Sequence, residues 1–272
     1  MAKIWFITGV SRGFGRLWAE AALARGDSVA ATARDVKTLT PLVEKYGERV
    51  LPIALDVTDR AADFAAVAAA HEKFGRLDII INNAGYGQFG AVEELSEAEA
   101  RAQIETNVFG ALWITQAALP ILRAQNSGHI IQVSSIGGIA AFANVGIYHA
   151  SKWALEGFSE AMALEVAPFG IHVTLVEPAG FATDWGGASA KHATPNPAYD
   201  AARAARAARM KANPQGEPEG SVKAILALVD SPEPPLRLML GSAAVRIATA
   251  TYQKRLETWK AWETLSNAAD KA

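Results

Sequence analysis

Cysteine is absent from the 272 residues of the chain, which excludes disulfide bonds, thiolate catalysis and cysteine-based zinc sites. The five histidines are scattered, so we predict no metal site. The net charge is only −2 and no block of lysine or arginine occurs, which argues against a nucleic-acid partner. No apolar run is long enough to span a bilayer, and the N-terminus lacks the apolar core and cleavage site of a signal peptide. We therefore expect a soluble, cytoplasmic protein without membrane association.

Short apolar segments alternate with amphipathic ones along most of the chain. The apolar segments predict buried strands at residues 4–7, 28–31, 50–55, 77–81, 129–133, 171–176 and 236–240. This alternation predicts an α/β fold, a doubly wound Rossmann-type parallel sheet of about seven strands flanked by helices on both faces. Ligands of such sheets bind beyond the carboxyl ends of the strands, so we expect the functional residues at these ends.

Two segments depart from the alternation within what we expect to be one domain over residues 1–272. Residues 184–218 are rich in Ala, Pro and Gly, and we interpret them as a mobile substrate-loop insert over the site. The tail over residues 242–270 places apolar side chains at helical spacing, which predicts an amphipathic helix. Packing against the body or a sister subunit is favoured for this helix over contact with substrate.

A glycine-rich turn, TGVSRGFG at residues 8–15, directly follows the first predicted strand and opens a helix. Glycines allow a tight turn and bring backbone amides and the helix N-terminus close to a pyrophosphate. The alternative is an ordinary strand-to-helix turn. The candidate cofactor contacts in this turn are Gly9, Ser11, Arg12, Gly13, Phe14 and Gly15.

The end of the second strand bears on the choice between NADP(H) and NAD(H). Arg34 there, together with Arg12, offers charge-assisted contacts to a 2′-phosphate. The alternative is that both arginines are solvated and that Asp35 binds the ribose. We expect NADP(H).

Polar and small residues also follow the third and fourth strands. Asp56 and Val57 are candidates for holding the adenine, although Asp56 equally suits a plain turn before a helix cap at Asp59. Residues 82–85 read NNAG, so that Asn83, Ala84 and Gly85 leave room for a flat cofactor.

The spacing of Tyr148 and Lys152 puts both side chains on one face of a predicted helix. A nearby cation favours the phenolate, so Lys152 is expected to make the phenol acidic enough for acid–base work. The alternative for any such pair is a surface contact. Ser135 closes the fifth strand and offers a hydroxyl to a substrate oxygen, while Asn107 is a candidate for shifting a backbone turn or holding a water beside Lys152.

After the sixth strand, residues 177–183 form a turn whose backbone and Thr183 hydroxyl are candidates for holding a carboxamide. The predicted contacts are Pro178, Gly180, Phe181 and Thr183.

Together and in this order, these segments resemble the short-chain dehydrogenase/reductase family, in its single-domain branch with TGxxxGxG and YxxxK motifs. The resemblance covers residues 3–183 closely and the rest loosely. One departure is Ala179, where the family usually has glycine. The distance of Ser135 from Tyr148 along the chain is what the family shows, which favours Ser135 over Ser134.

The resemblance implies a role for each residue of the catalytic set. Tyr148 is the general acid/base, Lys152 lowers its pKa and binds the nicotinamide ribose, Ser135 orients the carbonyl, and Asn107 supports a proton relay. A homodimer or homotetramer packed through the helices at 97–124 and 148–168 is also implied.

The expected function is therefore NADP(H)-dependent interconversion of a small ketone or aldehyde and its alcohol. Aromatic residues near the strand ends suggest a moderately apolar substrate: Tyr86, Phe142, Phe181 and Trp185. Two alternatives remain, an NAD(H)-dependent alcohol dehydrogenase of the same fold and a non-catalytic dinucleotide-sensing protein.

Overall fold

The computed structural model describes residues 2–187, 189–212 and 215–270, so that Ala188, Asn213 and Pro214 of the predicted insert lie outside the described residues. The strands are β1 (Ile4–Ile7), β2 (Ser28–Ala33), β3 (Val50–Ala54), β4 (Ile79–Asn82), β5 (Gln88–Phe89), β6 (Gly128–Val133), β7 (Ile171–Pro178), β8 (Lys191–His192) and β9 (Arg237–Leu240). The α-helices are α1 (Gly13–Ala24), α2 (Thr40–Tyr46), α3 (Arg60–Phe74), α4 (Glu97–Ile104), α5 (Gly110–Gln125), α6 (Gly146–Val166), α7 (Asp200–Ala212), α8 (Gly220–Asp230) and α9 (Ser242–Ala268).

The main sheet has seven parallel strands in the order β3-β2-β1-β4-β6-β7-β9. Side chains alternate between its two faces. Trp5 and Ile7 of β1 enter the core on one face together with Trp18 of α1, whereas Phe6 enters the core on the other face with Ile80. Burial on both faces explains why the strands are apolar at nearly every position. The predicted doubly wound fold is confirmed.

The strand order reverses beside β1, because the chain runs outward from β1 to β3 and then returns to β4 on the other side. The connections after β1 and β4 therefore leave in opposite directions and open a crevice at their carboxyl ends. The glycine turn and the NNAG segment border this crevice.

The helix predicted over residues 97–124 is divided in the structure. Its middle, Glu105–Phe109, forms a π-helical turn between α4 and α5. Asn107 lies in this turn, which fits the first of its two predicted roles, shifting a backbone turn; the second, holding a water beside Lys152, stays a prediction.

The predicted insert contains a short strand that the sequence did not indicate. In this segment β8 pairs in parallel with β5 through two residues on each strand. The insert is thereby joined to the connection that follows β4, on the site side of the sheet. Its mobility stays a prediction.

Among the described residues, none of the helices combines the length and the hydropathy that a bilayer crossing requires. The same residues contain no cluster of His, Asp or Glu suited to hold a metal ion.

Candidate active site

The glycine turn leaves room for the pyrophosphate of a dinucleotide. Gly9 and Gly13 adopt left-handed φ values of 71° and 59°, and a Cβ built on Gly13 would meet no described atom within 4 Å. No side chain of the described residues caps the N-terminus of α1, and its first turn contains no acidic residue. Backbone N–H groups and the helix dipole are thus available to an anion, so the turn fits a bound dinucleotide.

Thr8 and Asn83 hold this turn against the end of β4. The Thr8 hydroxyl accepts hydrogen bonds from the backbone N–H groups of Asn83 and Ala84, both at 2.9 Å. The Asn83 side chain donates to the carbonyls of Thr8 and Gly9 at 2.9 and 3.0 Å. Asn83 therefore shapes the glycine turn with its side chain, and Thr8, which the sequence analysis did not single out, helps to hold it.

Arg34 and Asp35, the two candidates for the group that faces a ribose or phosphate, lie side by side at the end of β2. The Asp35 carboxylate caps a short 3₁₀ helix by accepting a hydrogen bond from Lys37 N at 3.0 Å. Arg34 is exposed next to it. The cap engages one of the two carboxylate oxygens of Asp35, so the choice between Arg34 and Asp35 stays a prediction.

Asp56 lies in a turn, which is one of the two roles that the sequence suggested for it. Its Oδ1 accepts hydrogen bonds from the backbone and the hydroxyl of Thr58 at 3.1 and 2.9 Å. Asp59 then caps α3. Val57 is buried, and a Cβ on Gly110 would lie 2.7 Å from its Cγ2. The structure thus gives Asp56 and Val57 structural roles beside their candidate contacts to an adenine.

Ser134 and Ser135 at the end of β6 have different partners. The Ser134 hydroxyl donates to Glu156 Oε1 at 2.5 Å, in the interior. The Ser135 hydroxyl accepts from Gly137 N at 3.0 Å and acts as a hydrogen-bond partner of the Tyr148 phenol. Ser135 is therefore the serine that faces Tyr148.

Burial controls the protonation of Tyr148 in the structure. It raises the pKa of the phenol to about 12, and the hydrogen bond with Ser135 lowers it only in part. The predicted effect of Lys152 on the phenol stays a prediction, because the shift in the structure results from burial and from the hydrogen bond with Ser135. Tyr148 therefore holds its proton throughout the neutral range.

Lys152 lies behind Tyr148, at the end of β6. Its Nζ donates to the carbonyl of Val133 at 2.7 Å and is 5.8 Å from the centroid of the Tyr148 ring. Burial lowers the pKa of Lys152 to about 8, and the nearby Glu156 carboxylate opposes this shift. The pKa of the Lys152 amine thus lies close to neutral pH.

Asn107 connects the NNAG segment to the Tyr148 helix. Its side chain accepts from Tyr86 N and donates to Tyr86 O and Ser151 Oγ, each at 3.1 Å. Ser151 in turn donates to the backbone carbonyl of Tyr148 at 2.6 Å. A Cβ on Gly85 would lie 3.1 Å from Asn107 Oδ1 and 3.9 Å from Lys152 Nζ, so these groups adjoin one small space.

The turn after β7 is tied to the segment before α8. Ala182 N donates to Gly216 O, and Gly216 N donates to Gly180 O, both at 2.9 Å. The Phe181 ring packs edge-on against Phe14 of the glycine turn, with centroids 5.2 Å apart. Phe181 therefore packs against the glycine turn and is not part of the wall of aromatic rings around Tyr148.

That wall consists of Trp185, Phe89 and Phe142. The Trp185 ring lies 4.8 Å from the Tyr148 ring and 5.3 Å from the Phe89 ring, centroid to centroid. Phe142 packs into the same cluster. Trp185 and Phe142 were predicted near the site, whereas Phe89 was missed because its position depends on the pairing of β5 with β8.

A buried carboxyl pair lies beneath Ser134 and was also missed. Glu156 Oε2 and Glu177 Oε1 are 3.1 and 3.4 Å from Arg237 Nε. Burial raises the pKa of Glu177 to about 8, and the Glu156 charge adds to the shift. Glu177 is adjacent in the chain to Pro178 of the predicted nicotinamide turn, so this pair supports the floor of the site.

Comparison with known proteins identifies the family. A family model described as short chain dehydrogenase matches residues 3–194. The chain belongs to the short-chain dehydrogenase family. Oxidoreductase BOA17 of Botryotinia fuckeliana is 46% identical over 273 residues, covering 99% of this chain and all of that protein.

Solved structures of short-chain dehydrogenases share the whole architecture. One from Streptomyces avermitilis superposes with a TM-score of 0.93 at 41% identity and covers 98% of both chains. An alcohol dehydrogenase from Thermococcus sibiricus, complexed with 5-hydroxy-NADP, has a TM-score of 0.75 at 28% identity over 88% of this chain and 96% of its own. Other solved members hold NADP or NAD. The chain is thus an oxidoreductase of this family.

Proposed function

We propose that this oxidoreductase uses NADP(H) to interconvert a ketone or aldehyde and its alcohol, with Tyr148 as the general acid/base. The observation that carries the proposal is the convergence of Tyr148, Ser135 and Lys152 at the carboxyl edge of the sheet, next to the glycine turn. The residues of that turn and the NNAG segment would hold the dinucleotide, which supplies or accepts the hydride when it is bound.

In the reduction, the hydroxyls of Ser135 and Tyr148 bind the carbonyl oxygen of the substrate. As the carbonyl carbon gains a hydride, the oxygen becomes an alkoxide, and Tyr148 Oη transfers its proton to it. The phenol is protonated at neutral pH and so is ready for this step. Lys152, when charged, stabilises the phenolate that remains, and a proton from solvent restores the phenol. Oxidation runs the same steps in reverse.

Three features support NADP(H) over NAD(H). Arg34 is exposed at the end of β2, Arg12 lies in the glycine turn, and the Asp35 carboxylate is engaged in a helix cap. Arginine binds phosphate oxygens through charge-assisted hydrogen bonds, so both arginines favour a 2′-phosphate. The 5-hydroxy-NADP complex of the Thermococcus sibiricus enzyme is consistent with this choice, although the family also includes an NAD complex.

The aromatic wall supports a moderately apolar carbonyl substrate. Trp185, Phe89 and Phe142 surround Tyr148 with carbon-rich surface, and desolvation by these rings strengthens the polar contacts at the reacting oxygen. Such a surface favours apolar substituents next to the carbonyl over charged ones, which would lose their hydration there.

The test is turnover of NADPH by the purified protein with a panel of ketones and aldehydes, followed at the nicotinamide absorbance band. We expect turnover that prefers aromatic and aliphatic carbonyls over charged ones, and NADPH over NADH. The Arg34→Ala variant should lose at least about tenfold in NADPH affinity and little in NADH affinity. Equal NADPH affinity in Arg34→Ala and wild type would refute the cofactor assignment, and cofactor binding without turnover of any carbonyl would favour a sensing protein.

We also propose a homodimer or homotetramer that packs through α4, α5 and α6. Large apolar side chains that a sister subunit would cover lie on α6 and on the π-helical turn before α5: Trp153 is 44% exposed, Leu164 79%, and Phe109 of the turn 37%. Buried contacts of this kind supply much of the free energy of stable interfaces.

A further inference from the structure

Two buried carboxyl groups, Glu156 and Glu177, lie close to the candidate site residue Lys152. Glu156 follows Lys152 by one turn of α6, so both side chains lie on the same face of that helix. Glu177 lies near the end of β7 and is fully buried. Burying a carboxylate destabilises a protein unless the charge is paired, and the proposed mechanism gives neither group a role. A function next to Lys152 would explain why both are there.

The end of β6 is bonded to two successive turns of α6. Lys152 Nζ donates to the carbonyl of Val133 at 2.7 Å. The hydroxyl of the next residue, Ser134, donates to Glu156 Oε1 at 2.5 Å. Ser135 follows directly in the chain. The amine of Lys152 and the carboxylate of Glu156 are thus both fixed to the strand that presents Ser135 to the site.

Arg237 of β9 contacts both carboxyl groups. Its Nε lies 3.1 Å from Glu156 Oε2 and 3.4 Å from Glu177 Oε1. Its Nη2 donates to the carboxylate of Glu160, on the next turn of α6, at 2.9 Å. A single guanidinium balances only one negative charge, and two buried carboxylates in contact repel each other. The pair of Glu156 and Glu177 therefore shares a proton at neutral pH.

The hydrogen bonds favour Glu156 as the ionised member of the pair. Burial raises the pKa of Glu156, but the hydrogen bonds from Ser134 and Arg237 stabilise its ionised form. Burial also raises the pKa of Glu177, to about 8, and both the charge of Glu156 and the hydrogen bond with it add to this shift. At neutral pH the shared proton therefore lies on Glu177, which donates it in a hydrogen bond to Glu156.

The charge of Glu156 acts on the Lys152 amine. Burial lowers the pKa of Lys152, and the Glu156 carboxylate opposes this shift. The Tyr148 ring on the same helix and the uncharged side chain of Asn107 in the π-helical turn also lie near the amine. Further titratable or charged groups reach Glu156 from the neighbouring strands: Glu177 of β7 and Arg237 of β9.

We propose that Glu156 is a positioning residue that keeps the buried Lys152 amine protonated during the reduction. Glu177 supports this role by carrying the proton that would otherwise neutralise Glu156. The inference rests on the proposed function, in which charged Lys152 stabilises the Tyr148 phenolate. Without the charge of Glu156, the amine would lose its proton at a lower pH, and the phenolate would lose its stabilising cation.

Carbon-13 NMR of the Lys152 side chain measures this effect without turnover. The full chain, labelled at the lysine Cε atoms, is titrated across the neutral and alkaline range, and the Lys152 signal is identified by its absence from Lys152→Arg. We expect the titration midpoint in Glu156→Gln to lie about one pH unit below that of the wild type, because losing a nearby opposite charge disfavours the ammonium form. Equal midpoints in the two proteins would overturn the proposal.

Glu160→Gln is the matched control, since Glu160 binds the same Arg237 but is 57% exposed. This substitution removes the same charge from the same guanidinium. The Lys152 midpoint should nevertheless stay within about 0.2 pH units of the wild-type value, because solvent screens an exposed carboxylate. Equal shifts in Glu160→Gln and Glu156→Gln would show that the total charge around Arg237 acts on the amine, which would overturn the assignment to Glu156.

Glu177→Gln tests which carboxyl group carries the charge. Glutamine has nearly the size of the protonated acid and also donates hydrogen bonds, so the Lys152 midpoint should keep its wild-type value. A midpoint lowered in Glu177→Gln would place the negative charge on Glu177 and refute the proposal. This variant decides the question even if circular dichroism shows that Glu156→Gln does not fold.

The pH profile of kcat/KM links the charge to the reaction. In Glu156→Gln the decline of kcat/KM for reduction should begin about one pH unit lower than in the wild type, because it follows the charge of Lys152. A uniform loss at every pH with an unmoved midpoint would show a merely structural role and overturn the proposal. If the wild type turns over no carbonyl, the proposed function fails, whereas the NMR titration still decides whether Glu156 holds the proton on Lys152.

Discussion

At the scale of single residues, the loss of water around Tyr148 and Lys152 moves their two pKa values apart. Burial raises the pKa of Tyr148 to about 12 and lowers that of Lys152 to about 8. The neutral form is favoured in each case because a low-dielectric environment penalises charge. The phenol is therefore a ready acid, whereas the amine is the group whose charge changes within the working pH range.

This difference predicts the pH dependence of the reduction. Under the proposed mechanism, Lys152 is protonated below about pH 8 and would stabilise the phenolate formed when Tyr148 gives up its proton. Above that pH the neutral amine no longer does so. The value of kcat/KM for reduction should be level on the acidic side and fall as the pH rises through about 8.

NADPH affinity measured over the same range separates this effect from cofactor binding. If affinity is constant and kcat/KM falls, the loss belongs to the proton transfer. A kcat/KM that stays level to pH 10 would mean that the charge of Lys152 is not needed.

The sequence predicted candidate site residues that the structure brings together, but it did not predict their surroundings. Ser135 was preferred over Ser134 because of its distance from Tyr148 along the chain, and the structure brings Ser135 to the phenol while Ser134 bonds Glu156. The pair of Glu156 and Glu177 was missed because the two residues lie on different elements. Only folding brings them together at Arg237.

At the scale of elements, the beginning of α1 depends on the absence of a side chain at Gly15. A Cβ there would lie 2.5 Å from both the Gly9 carbonyl and Asn83 Nδ2. We expect Gly15→Ala to displace the turn, raise the dissociation constant of NADPH at least about tenfold, and lower the free energy of unfolding by about 1–3 kcal/mol. Calorimetric titration and denaturant unfolding measure these changes.

Gly157 in α6 provides the matched control. A Cβ at Gly157 would meet no described atom within 4 Å. Gly157→Ala should leave NADPH affinity unchanged and stabilise the protein by up to about 1 kcal/mol through helix propensity. Equal effects of the two substitutions on NADPH binding would show that the turn at Gly15 is not the cofactor cradle.

The insert is fastened to the body by Glu94, whose side chain is 2% exposed and forms an ion pair with Arg203 of α7. Arg206 of the same helix lies over the Phe89 ring, which in turn contacts Trp185. Releasing α7 should therefore loosen the aromatic wall. We expect Glu94→Gln to raise KM for the carbonyl several-fold without changing NADPH affinity, as measured by steady-state kinetics and titration.

Glu97 is the matched control for this experiment, because its ion pair with Arg101 is almost fully exposed. Such a surface pair contributes little, so Glu97→Gln should behave as wild type. A wild-type KM in Glu94→Gln would show that α7 does not position the substrate wall.

The elements themselves differ in how far the sequence determines them. The strands of the main sheet were predictable because both of their faces are buried, which leaves a continuous apolar run in the sequence. The π-helical turn at Glu105–Phe109 was not predictable from the sequence. In this turn Asn107 contacts Tyr86 and Ser151, which belong to other elements, and such contacts leave no local pattern. The β5–β8 pairing was missed because two residues per strand carry no periodicity.

At the scale of the whole molecule, the parallel arrangement of the strands brings the residues of the candidate site to one edge of the sheet. The glycine turn after β1, the NNAG segment after β4, Ser135 after β6 and the turn after β7 all lie at the carboxyl edge of neighbouring strands. The helix α6 adds Tyr148 and Lys152 from one side. Residues more than a hundred positions apart in sequence thus share one crevice, which is why the alternation of strands and helices predicted the location of the site.

The central claim is that Tyr148 provides the proton for a hydride transfer at this edge. It is tested most directly by comparing the wild type and Tyr148→Phe in a single turnover from bound NADPH to a carbonyl substrate, with NADPH affinity measured on the same samples. We predict that NADPH affinity changes by less than about threefold while the rate of hydride transfer falls at least about a hundredfold. Equal rates of hydride transfer in the two proteins would contradict the account.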